Sequence, residues 1–220
     1  MDGIHDMGGM HGFGPVPCDQ DRAFDHDWQK RAFALTEALA WSVPFCADEH
    51  RAAIERIAPE DYLRLDYFEK WTVAATALVQ AAGLVDPQEV ASGRKRFDIA
   101  LVDHPAVGPA DILAATKAGA EMTFPPTTAA PRFTVGQSVR VLANSPAGHT
   151  RVPRYVRNHV GQITLNAGVF QFADTMAVGQ GPSPQHCYCV EFLATDLWGN
   201  DADPKGRVCL DLWENYLEPA

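Results

Sequence analysis

Acidic side chains are missing from a long central part of this chain. Between Glu121 and Asp174 there is no aspartate or glutamate, although the 220 residues together carry a formal net charge of -10. That stretch holds five arginines: Arg132, Arg140, Arg151, Arg154 and Arg157. Three of them fall in "GHTRVPRYVR", from Gly148 to Arg157. Other absences narrow the class. No run of about 18 apolar residues occurs, so no transmembrane helix is expected. The opening "MDGIHDMGGM" has neither a basic nor an apolar segment, so it does not read as a secretory signal, and the cytoplasm is the expected compartment. The five cysteines (Cys18, Cys46, Cys187, Cys189, Cys209) are odd in number and scattered, which argues against a disulfide framework. Overall acidity argues against nucleic-acid binding. No H-E-x-x-H, G-x-S-x-G, P-loop or C-x-x-C motif is present, so no complete catalytic or metal-binding kit is visible.

What is present divides the chain in two. Residues 1–22 are glycine-rich, yet Ile4, Met7, Met10, Phe13 and Val16 recur every third position. They read as an extended arm that orders against another surface, such as a partner chain. Residues 23–123 read as helical: apolar spacing predicts helices over 23–43, 48–58 and 59–83, and shorter ones after Asp86 and from Pro109 to Ala120. "FPPTTAAP", residues 124–131, has three prolines in eight residues and reads as a linker. From 132 to 220 the pattern turns to short strands. "VGQITL" and "VFQF" flank a hairpin-like Asn166-Ala167-Gly168 turn, and about five such strands predict a small closed barrel. Cys187 and Cys189 alternate on one strand face and read as small buried residues. The fold class is α+β: an arm, a helical half and a C-terminal barrel.

Two constellations carry possible chemistry. Arg51 and Glu55 are four apart and share a helix face, as do Tyr67 and Trp71 on the next helix. His149 and Arg151 lie in a loop between Gly148 and Pro153, and a guanidinium fork there suits an oxyanion. From composition alone, an ordinary surface ion pair, a core aromatic stripe and a solvated basic patch are the readings to prefer.

The stretches "MDGIHDMGGMHGFGPV", "DEHRAAIER", "DYFEKW", "GHTRVPRYVRNHVGQI", "LWGNDAD" and "DLWENYLEPA" occur in an order that resembles the β subunit of nitrile hydratase. The resemblance spans nearly the whole chain. It implies an enzyme that hydrates a small nitrile to an amide, active only as a complex with an α subunit (αβ or α2β2). The Co(III) or Fe(III) would be held by the α subunit through oxidised cysteines, with no metal bound by this chain alone and no part for nucleic acid or membrane. It implies that the C-terminal barrel is SH3-like. Arg51 and Arg151 would bind the oxygens of the modified cysteines, Tyr67 and Trp71 would line the substrate pocket, and Glu55 and His149 would support the arginines. Tyr67 would thus count with the arginines among the active-site groups. Departures from the family pattern are Cys46, expected to cap its helix poorly, and Phe68 and Lys70; Trp71 leans towards a cobalt-type enzyme. A thiocyanate hydrolase subunit and a non-catalytic metal-loading chaperone are the alternative readings.

Overall fold

A computed structural model describes residues 2–10, 12–18, 22–100, 102–119 and 129–220. The chain divides into two compact units, one of residues 3–5 and 11–120, the other of residues 1–2, 6–10 and 121–220. The expected linker falls largely at 124–128, outside the described residues.

The first unit is helical. Its elements are α1 (Asp27–Ser42), α2 (Ala47–Glu55), α3 (Pro59–Arg64), α4 (Tyr67–Ala81), α5 (Pro87–Ser92) and α6 (Pro109–Ala118). Helix α1 begins four residues later than its apolar spacing suggested, because the Gln29 side chain accepts from the backbone N–H groups of Asp25 and His26 and fixes the start. The single helix expected over 59–83 is in fact two. Leu65 is extended, and the chain restarts at Asp66, whose N–H donates to Glu69 Oε2 at 2.8 Å. Gly83, at φ +73°, ends α4 in the left-handed conformation expected of it, and the Leu84 N–H donates back to the Val79 carbonyl. At α5 the predicted cap is present in both directions: Glu89 N–H donates to Asp86 Oδ1 and Asp86 N–H donates to Glu89 Oε2. Helix α4 packs against α1 and α2 through small residues, with Ala52, Ala53, Ala74, Ala75 and Val79 buried. None of the described helices is long and apolar enough to cross a membrane.

The second unit is built on an antiparallel sheet of β1 (Ser138–Val141), β2 (Val160–Phe170), β3 (Gln185–Leu193), β4 (Arg207–Trp213) and β5 (Leu217–Pro219), with two short helices, α7 (Ala173–Met176) and α8 (Ala194–Trp198). Strand order is β4-β3-β2-β1-β5. The sheet is open: β4 pairs with β3 and β5 with β1, so the closed barrel is not formed by strand pairing. Asn166-Ala167-Gly168 is not a hairpin turn. Strand β2 runs straight through it, and the register against β3 slips there, between Asn166 and Gly168. Such a bulge also uses a positive-φ glycine, and Gly168 sits at φ +106°. Residues 133–135 are irregular, and β5 pairs with β1 at that edge of the sheet.

Alternation drives the core. On β1, Val139 and Val141 face inward, and they meet Ile163, Val190, Phe192, Leu212 and Leu217. Gly161 lets β2 pass close to β3, since a Cβ there would lie 2.6 Å from Val190 Cγ1 and 2.9 Å from the Glu191 carbonyl oxygen. The buried Tyr188 hydroxyl donates to Glu214 Oε2 at 2.6 Å, which also accepts from the Arg132 N–H.

Several arm residues of this unit pack against their own chain. Asp6 accepts from the backbone N–H and Nε of Arg154, and Asp2 Oδ1 accepts from Arg157 Nη1 at 2.5 Å. Gly8 lies against Tyr155, whose ring stacks on Trp198; a Cβ at Gly8 would sit 2.6 Å from Tyr155 Cε1. Further along, Met10, Phe13 and Val16 are exposed.

Candidate functional site

In the helical unit, α2 and α4 present their facing sides to an open cleft of about 490 Å³. Arg51 comes from α2, one turn below the helix start, and Tyr67 and Trp71 come from the first and second turns of α4. The i, i+4 spacing visible in the sequence therefore puts both aromatics on one wall, with ring centroids 5.4 Å apart. Tyr67 is 63% exposed, so this aromatic pair is not core but surface of the cleft.

Arg51 is held from behind. Its Nε donates to Glu55 Oε1 at 2.9 Å, and the Glu55 side chain is only 2% exposed while that of Arg51 is 51% exposed. The other Glu55 oxygen lies 3.7 Å from His5 Nε2. A buried carboxylate needs such partners, and in satisfying it Arg51 loses freedom at Nε while its terminal nitrogens stay available. At the start of α2, Glu49 Oε2 accepts from the Cys46 N–H, and the Cys46 side chain takes the reciprocal position of the capping box against the Glu49 backbone.

Sequence reasoning passed over His50, Tyr62 and Glu37, which also line the cleft. His50 sits edge-on to Trp71 at 5.4 Å, stacks on Phe45, and has its Nε2 3.3 Å from the Trp71 carbonyl oxygen. Burial lowers its pKa below the ordinary histidine value. The signal was its place beside Arg51, one residue round the helix. Lys70, where the family pattern often differs, packs its ammonium 4.3 Å from the centre of the Tyr62 ring.

Arg151 and His149 belong to the sheet unit. His149 is buried, whereas Arg151 is exposed. The Arg151 backbone N–H donates to Tyr216 Oη at 3.2 Å. Among the described residues its guanidinium has no hydrogen-bond or ion-pair partner. This separates it from its neighbours in the basic block. Arg154 is bound to Asp6, and Arg157, 9% exposed, is spent on Asp2, Ser145 and the Val152 carbonyl. Of the strand cysteines, Cys187 is buried and its thiol is pushed up to about 12 by that burial, while Cys189 is half-buried. Among the described residues no three His, Cys, Asp or Glu side chains converge as a metal ion would require.

The chain is of the α+β class, with one arginine fixed at the edge of an aromatic cleft in the helical unit and another displayed on a loop of the sheet unit. Sequence comparison makes the class specific. Residues 1–120 match the family described as nitrile hydratase beta subunit, N-terminal, and residues 123–219 match nitrile hydratase beta subunit, C-terminal. The chain belongs to the nitrile hydratase beta subunit family. It is 39% identical over 225 residues to the nitrile hydratase subunit beta of Pseudomonas putida, with 100% of each chain covered. It is 37% identical over 236 residues to the low-molecular weight cobalt-containing nitrile hydratase subunit beta of Rhodococcus rhodochrous, again with 100% of both covered. Among solved structures, a thiocyanate hydrolase apo-enzyme from Thiobacillus thioparus aligns with 41% of this chain and 78% of its own at 27% identity, with a TM-score of 0.40.

Proposed function

We propose that the chain works in the cytoplasm as the β half of a nitrile-hydrating enzyme, paired with an α subunit and converting a small nitrile to its amide. The observation that carries the reading is the convergence of Arg51, Tyr67 and Trp71 on one cleft in a chain of this family. In this proposal the α subunit would hold a cobalt ion, which would supply Lewis-acid chemistry towards the nitrile or water. The cobalt-containing relative supports that choice of metal.

This chain's own residues then bind and orient. Tyr67 and Trp71 form an apolar, π-rich wall against which a nitrile's hydrocarbon part packs. Arg51 and Arg151 present planar forks to the negatively charged oxygens of oxidised cysteine ligands. A guanidinium suits that task because it stays charged at every relevant pH and bonds through two nitrogens at once. Glu55 keeps Arg51 pointed, so the arrangement is made before the substrate arrives. None of these groups transfers a proton in this scheme. The working division of the chain is an arm at 1–22, a helical domain at 23–123, a linker at 124–131 and a sheet domain at 132–220.

The test is co-expression with the α partner and replacement of each arginine. Arg51→Lys and Arg151→Lys keep the charge and lose the fork. Each should lower hydration turnover by about 10- to 100-fold, as loss of a group supporting metal ligands does. Full activity and full metal content in both variants would sink the proposal.

A further inference from the structure

We propose that Tyr216 and Asp174 are positioning residues for Arg151, setting where its guanidinium stands on the loop. The proposal rests on the role given to Arg151 above, and goes further by naming what aims it.

Arg151 has no helix or strand to hold it. It lies in the irregular stretch between β1 and the 3-10 turn at Arg154–Val156. Its backbone is pinned instead by Tyr216, whose hydroxyl accepts the Arg151 N–H. The flanking residues are pinned too: Val152 is buried, and its carbonyl accepts from Arg157 Nη2 at 3.0 Å. Tyr216 is itself fixed. It is buried in the 3-10 turn Glu214–Tyr216, with Phe172 and Trp213 rings 5.3 Å and 6.1 Å from its own.

The direction of the bonds is what makes a device of this. A phenol has one proton and two lone pairs. Here the proton goes to Asp174 Oδ1, with the oxygens 2.5 Å apart. That leaves the lone pairs to accept from the Arg151 amide and the Thr150 side chain, so Asp174 decides that Tyr216 acts there as an acceptor. Burial holds the phenol above its usual pKa, so it keeps the proton that this arrangement uses. Asp174 lies in the first turn of α7. A half-buried carboxylate and a buried phenol, from two segments distant in sequence, thus converge on the loop at Thr150 and Arg151. A loop that merely closed a gap between strands would not need either.

The test uses the complete enzyme with its α partner, assayed on a small aliphatic nitrile. Tyr216→Phe removes the hydroxyl and keeps the ring; Asp174→Asn keeps the shape and removes the charge. Each should lower kcat about tenfold or more with KM within about twofold of the parent. In an Arg151→Lys background, Tyr216→Phe should cost less than about twofold further, because its effect acts through a fork already lost. Three results overturn the proposal: both single variants retaining kcat within about twofold, a fall confined to KM, or fully additive losses in the double variant. If Tyr216→Phe fails to assemble, Asp174→Asn decides by the same limits. These failures differ from failure of the parent reading, which is marked by Arg151→Lys itself keeping full activity.

Discussion

In the sheet unit large side chains are fully hidden: Tyr188, Phe133, Phe192, Ile163 and Leu212 have almost no surface. In the helical unit the hidden apolar residues are small ones, Ala52, Ala53, Ala74, Ala75, Val43 and Val79, while Leu35, Trp41, Tyr67 and Val73 stand exposed and Trp28 and Phe33 nearly as much. Both units have apolar patterning of the right period, so pattern alone does not separate them. The difference lies in what the large groups pack against. In the sheet unit they pack on one another from neighbouring strands, in one cluster. The helices approach closely through alanine and leave their aromatics outward, where they form the Tyr67–Trp71 wall and surface beside it. Exposed aromatic area on that scale is the mark of a surface meant to be covered. In the proposed enzyme the α subunit is what covers it.

Three measurements would sharpen or break this contrast. The largest effect is expected from Phe192→Ala in the sheet core, which should destabilise the chain by about 3–5 kcal/mol in urea denaturation. A loss below about 1 kcal/mol would mean that the sheet unit is not the self-contained core described. Next comes His50, the titratable group at the rear of the cleft. Its pKa is lowered from 6.5 by burial, so the folded state binds the proton less tightly than the unfolded chain. Its contribution is therefore fully present above the unfolded value and is lost as pH falls below it towards the folded value. Between about pH 7.5 and pH 5.5 the parent chain should lose more stability than a His50→Gln variant does. Equal losses would place the ring in water instead. The smallest effect is expected from Trp41→Ser on exposed α1, within about 0.5 kcal/mol for the chain by itself. Weaker capture of the α partner by that same variant, seen in a pull-down of the co-expressed pair, would tie the exposed aromatics to assembly. A loss of several kcal/mol in the lone chain would instead show Trp41 to be part of a core.

Local features were readable in the sequence to the extent that their causes are local. The cap at Asp86 and the stop at Gly83 need only neighbours within a turn, and both are where the sequence puts them. The break at Leu65–Asp66 was masked because the apolar spacing runs on across it, although Asp66 and Glu69 carried the capping signal. Asn166–Gly168 misled for a related reason: a positive-φ glycine after asparagine serves a bulge as well as a hairpin, and only the partner strand decides which. The cleft was half legible. Each i, i+4 pair is a property of one helix, but that α2 and α4 face each other is a tertiary fact, and His50 had no pair to announce it. The partners of Arg154 and Arg157 were out of reach altogether, since nothing near them in sequence is acidic. The block that looked like three equivalent cations is two structural ion pairs and one displayed guanidinium.

Those two ion pairs also impose an order of events. Asp2 and Asp6 join arginines 155 and 148 positions further on. At about 5–20 residues per second, the arm leaves the ribosome on the order of ten seconds before its partners exist. A segment with many glycines and no helical or strand period of its own has little to form in that interval. Its two ion pairs can close only once synthesis has passed Arg157, so they record that the chain has entered the sheet unit.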